Sequence, residues 1–66
     1  MPIVYRLKFE DIDLEPIDDY DVFDDKLSAL AAVGRVLCEP DHDIGSVYLT
    51  ADDGCDEWVI ASAYVR

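Results

Sequence analysis

The chain has 66 residues, 52% of them hydrophobic, with 16 acids against 5 basic residues and a net charge of −11 at pH 7. That length supports a single small domain and leaves little room for a substrate cleft, while the apolar fraction excludes a disordered acidic tail. The charge excludes nucleic acid as a direct partner, because phosphates repel such a surface, and no apolar run reaches the ~18–20 residues that span a bilayer.

Residues 3–9 alternate. Ile3, Tyr5, Leu7 and Phe9 point one way and Arg6 and Lys8 the other, which predicts a half-buried strand. Residues 10–21 slip out of that register. Pro16 argues against a central strand, so an extended, exposed segment or edge is expected, pinned by Ile12, Leu14 and Ile17. A helix is predicted over 22–38, capped by Asp21 or Asp24 and stopped by Pro40. Its core face is expected to be Phe23, Leu27, Leu30, Gly34 and Leu37, widened by Ala31 and Val33, with Gly34 allowing a close approach to the sheet.

Residues 39–45 read as a loop and 46–51 as a strand, and Asp52, Asp53 and Gly54 form a hairpin turn. Residues 55–65 read as the last strand, with Trp58, Ile60 and Tyr64 on one side and Val59, Ala61, Ala63 and Val65 on the other. This gives an α+β two-layer sandwich of order β-α-β-β. One helix packs on a three-stranded antiparallel sheet, and the last, least charged strand lies at its centre.

The acids fall in three groups at loops, turns and element ends. Glu10, Asp11, Asp13, Glu15, Asp18, Asp19, Asp21, Asp24 and Asp25 form the first, with no basic residue among them. Glu39, Asp41 and Asp43 form the second, and Asp52, Asp53, Asp56 and Glu57 the third. Aspartates dominate, and a short side chain holds its charge near a defined backbone position. Several acids stand two residues apart, about 6.6 Å in extended chain, a spacing on the scale of phosphates along a nucleic-acid strand. A basic cleft that binds nucleic acid would accept such a row. The expected contacts are Asp11, Asp13, Glu15, Asp18, Asp19, Asp21, Asp24 and Asp25, with Asp52, Asp53, Asp56 and Glu57 as a second set.

Other chemistry finds little support. Asp11, Asp13 and Glu15 begin like a calcium loop, but Pro16 stands where a glycine is needed and Val22 where a bidentate glutamate is needed. Asp41 and Asp43 are followed by Ser46 at the glycine position. Cys38, His42 and Cys55 lack the paired spacings of a zinc site. Neither a nucleophile–base pair nor a glycine-rich phosphate loop stands out, so no enzyme activity, cofactor or metal is expected. The start of the chain, Met1-Pro2-Ile3-Val4-Tyr5-Arg6, lacks the features of a secretory leader. A cytoplasmic location and free thiols at Cys38 and Cys55 follow as expectations.

In size, charge and inferred architecture the whole chain resembles phage-encoded DNA mimics, above all the small anti-CRISPR proteins directed at type I surveillance complexes. No sequence motif carries the likeness. It implies a stoichiometric, non-enzymatic inhibitor that covers a basic DNA-binding surface. The alternatives are an acidic antitoxin or adaptor that masks one basic protein, and a halophilic domain whose acids serve solvation.

Overall fold

The computed structural model describes residues 2–39 and 43–65. Five elements follow in chain order: β1 (Val4–Glu10), β2 (Asp21–Phe23), α1 (Lys26–Cys38), β3 (Ser46–Asp52) and β4 (Glu57–Tyr64). The α+β class holds, with one helix on an antiparallel sheet. The sheet has four strands rather than three, in the order β2-β1-β3-β4. The extra strand is β2, a three-residue edge in which Asp21 ends the segment expected to be extended and Val22 and Phe23 replace the expected first residues of the helix.

The last strand is an edge, not the centre. β3 is central, pairing with β1 from Val4↔Asp52 to Glu10↔Ser46 and with β4 on its other side. Low charge therefore misplaced β4. β1 tolerates an inner position despite Arg6 and Lys8 because those residues lie on the sheet face away from the helix, where acids pair with them. A register shift between Leu49 and Thr50 also reassigns the sides of β4. Trp58, Ala61 and Ala63 stand opposite Ala51, Leu49 and Val47 on the helix side, whereas Val59, Ser62 and Tyr64 share the open face. One added residue turns every later side chain over.

α1 begins later than expected. Asp25 caps it, not Asp21 or Asp24: its backbone is extended, and its carboxylate accepts from the Ser28 N–H and hydroxyl, both at 2.9 Å. Phe23 belongs to β2 and packs against the core. The end of the helix at Cys38 agrees with the sequence; Glu39 donates its N–H to the Arg35 carbonyl at 2.9 Å. The assigned stop, Pro40, lies outside the described residues, as do Asp41 and His42.

The face that α1 turns to the sheet is the opposite of the one its leucines suggested. Ala29 and Ala32 are buried, with Val33 and Val36 beside them, and they meet Leu7, Val47 and Leu49. Leu27 is 76% exposed, and Leu30 and Leu37 are also exposed. A Cβ on Gly34 would meet nothing within 4 Å, so this glycine allows no approach to the sheet. Small alanines seat the helix close to the strands and leave the leucines outside.

Candidate acidic interface

The register assigns the acids to places. β1 carries the chain from one end of the sheet, where Val4 faces Asp52, to the other, where Glu10 faces Ser46. These ends lie about 20 Å apart, the length of a seven-residue strand. The second end gathers Glu10, Asp11, Asp13 and Glu15 with the start of β3 and the C-terminal end of α1, near Glu39 and Asp43. The first end gathers Asp24 and Asp25 with Asp52, Asp53, Asp56 and Glu57. Asp18, Asp19 and Asp21 lead into and begin the β2 edge that joins the two. The acids thus form two poles linked along one edge, and the first group of the sequence is divided between them.

Local bonding separates structural acids from available ones. Asp11 organises a tight turn: its Oδ1 accepts from the N–H groups of Asp13 and Glu15, each at 2.9 Å. Leu14 in this turn takes a left-handed φ of 64°, and Pro16 bridges back to Glu10. The Asp11, Asp13 and Glu15 row is therefore folded into a turn rather than laid out in extended chain, a correction to the phosphate-like spacing expected there. Asp53 forms the β3–β4 turn, its Oδ1 accepting from Cys55 and Asp56, while Asp52 Oδ1 accepts from Gly54, whose φ is 96°. The N–H groups of Asp56 and then Cys55 hold the Asp53 carboxyl below its usual range. Those of Ser28, with its hydroxyl, do the same for Asp25.

The open face of the sheet holds an ion network. Arg6 donates to Asp52 and lies 3.5 Å from Glu57; Lys8 lies 3.0 Å from Glu57, which also accepts from the Thr50 hydroxyl at 2.6 Å. Arg6 lowers the Asp52 pKa, and Asp52 raises that of Arg6. Thr50 and then Lys8 lower that of Glu57. This network neutralises two cations, and it removes Asp52 and Glu57 from the set of acids ready for a partner.

Among the described residues no ion pair reaches Asp13, Glu15, Asp18, Asp19, Asp21, Asp24 or Asp56, and all are exposed. With Glu39, these are the described carboxylates that face solvent with neither an ion pair nor a bound N–H such as Asp25 holds. Beside the network lies an open depression of about 330 Å³, lined by Glu10, Tyr48, Val59, Ser62 and Tyr64, with Ser46 donating to Glu10 at 2.8 Å. A carboxylate beside aromatic rings suits a cationic side chain. Sequence reasoning missed this spot, because Glu10 and Tyr64 meet only through their shared neighbour Ser46.

Cys38 and Cys55 are free and exposed. Among the described residues no three of His, Cys, Asp and Glu converge as a metal site, and no helix is long and apolar enough to cross a membrane. Comparison with protein-family models, with curated proteins and with solved structures gives no match.

Proposed function

We propose that this chain is a non-enzymatic, stoichiometric inhibitor that imitates nucleic-acid charge and covers a basic DNA-binding surface, of the kind a type I CRISPR surveillance complex presents. The observation that carries this reading is the set of exposed, unpaired carboxylates at the two poles and along the β2 edge. The cations Arg6 and Lys8 are meanwhile held in pairs on the open face. Negative charge is therefore in excess along the edge. Such a field steers a basic partner and releases its counterions, as DNA does. Regular spacing contributes less than the sequence suggested, because the 11–15 row is a turn.

The test uses a purified type I surveillance complex, a matching DNA duplex and the full chain. The wild-type chain is expected to displace the DNA at about one copy per site, and less effectively as salt rises. The double reversal Asp19→Lys with Asp21→Lys is expected to abolish displacement with the circular-dichroism spectrum unchanged, since both side chains are exposed. If DNA binding persists at saturating wild-type chain, this target is wrong. If displacement survives reversal of every unpaired acid, charge imitation itself is wrong.

A further inference from the structure

The outer face of α1 is exposed among the described residues. Leu27, Leu30, Ala31, Gly34, Leu37 and Cys38 recur along the side away from the sheet, and all are exposed. The side of the helix that meets the sheet carries Ala29 and Ala32 with Val33 and Val36 beside them, so the chain leaves the larger apolar side chains of this helix on its outer face. Such an all-round apolar helix is normally covered on both sides. Gly34 adds an independent sign. A mid-helix glycine weakens a helix relative to alanine, and a Cβ at this one would meet nothing in its own chain. The space it leaves is open to something that approaches from outside.

Charge decides what that is. Two copies carrying −11 each repel over most of their surface. From Lys26 to Cys38 the chain holds no acid and two cations, Lys26 and Arg35. Between its ends the helix face thus offers a second copy a stretch free of carboxylates, with acids confined to the flanking Asp24, Asp25 and Glu39. Its ends are self-complementary: in an antiparallel pair, Lys26 approaches Glu39 of the partner subunit, and the helix dipoles oppose. We propose that this face is a two-fold homodimer interface. The helices cross antiparallel near Ala31 and Gly34, and the leucines close over one another. One helix pair covers less than the ~800 Å² per partner of standard interfaces, so association in the micromolar range is expected.

The proposal is independent of the acidic reading, and salt separates the two. Screening reduces repulsion between like copies, so dimerisation should tighten with NaCl, whereas binding to a basic partner should weaken. The experiment is sedimentation equilibrium of the full chain up to ~500 μM at low and high NaCl, a range that detects micromolar association. Leu27→Lys, at a largely exposed site, should keep the circular-dichroism spectrum and weaken the dimer about 100-fold, roughly tenfold for each of the two leucines uncovered. Gly34→Ala should strengthen the monomeric helix and still weaken association; a glycine with no interface role would give only the first effect. In a Cys55→Ser background, oxidised Leu27→Cys chain should become disulfide-linked through Cys38 of the partner subunit, as the antiparallel register requires. A wild-type chain that stays monomeric throughout overturns the proposal. So does a dimer that survives Leu27→Lys, as pairing through the free edge of β4 would.

Discussion

Gly45 is buried where the chain enters β3 beneath the Asp11 turn, and a Cβ there would lie 2.4 Å from the Asp11 carbonyl oxygen. Backbone cannot yield as a flexible side chain can. Gly45→Ala is therefore expected to cost on the order of 1–3 kcal/mol, the usual penalty for overpacking, read from urea unfolding. The structural carboxylates make a second prediction at this scale. Asp25, Asp52, Asp53 and Glu57 have folded-state pKa values below the ordinary 3.8 and 4.5. A lowered value means that the unfolded chain takes up protons first. The stability these groups contribute is thus complete above about pH 5 and is lost as pH falls through and below 4. They are exposed, so solvent keeps each contribution small. The acid limb of the unfolding midpoint should flatten in Asp52→Asn with Glu57→Gln; an unchanged limb would mean that these bonds do not persist in solution.

α1 poses a choice of faces that periodicity does not resolve. Its sequence is apolar almost all round, with Lys26, Ser28 and Arg35 as its polar residues, so leucines and alanines offer two plausible stripes. The alanine stripe faces the sheet because β1 and β3 already supply bulk from Leu7, Val47 and Leu49. Ala29→Leu should therefore cost about 1–3 kcal/mol through overpacking. Leu27→Ala should stay within about 0.5 kcal/mol of the wild-type monomer, as exposed substitutions do. Chemical denaturation at dilute concentration distinguishes the two, and the reverse order would restore the leucine face to the core. β4 was misplaced for a related reason. Its low charge suits a centre strand, but β3 has neighbours on both sides, and its residues from Ser46 to Ala51 are almost all buried.

At the scale of the molecule, a small core coexists with a large uncompensated charge. The fully buried large side chains are Leu7, Leu49 and Val47. The repulsion of −11 charges opposes the compact state. Added NaCl should raise the melting temperature at neutral pH through screening, seen by differential scanning calorimetry at fixed protein concentration. A fall with salt would show that the Arg6–Asp52 and Lys8–Glu57 pairs outweigh the repulsion. Dimerisation through α1 would place two acidic edges on one particle. That would raise effective concentration on a partner with repeated basic sites.

The α+β class, the alternation in β1, the β3–β4 turn and the confinement of acids to element ends follow from local rules, so they were legible in the order of residues. Strand order, the face of α1 and the sides of β4 were not. They depend on which surfaces meet and on one register shift between Leu49 and Thr50 that no local propensity marks. The acidic interface is divided in the same way. Sequence determined which residues carry the charge. Local turns and a helix cap bind Asp11, Asp25 and Asp53 to backbone N–H groups within four residues, and tertiary structure decided that Asp52 and Glu57 pair with Arg6 and Lys8. Asp13, Glu15, Asp18, Asp19, Asp21, Asp24 and Asp56 stand exposed without an ion pair, because a carboxylate is available only where the fold brings it neither a cation nor an N–H.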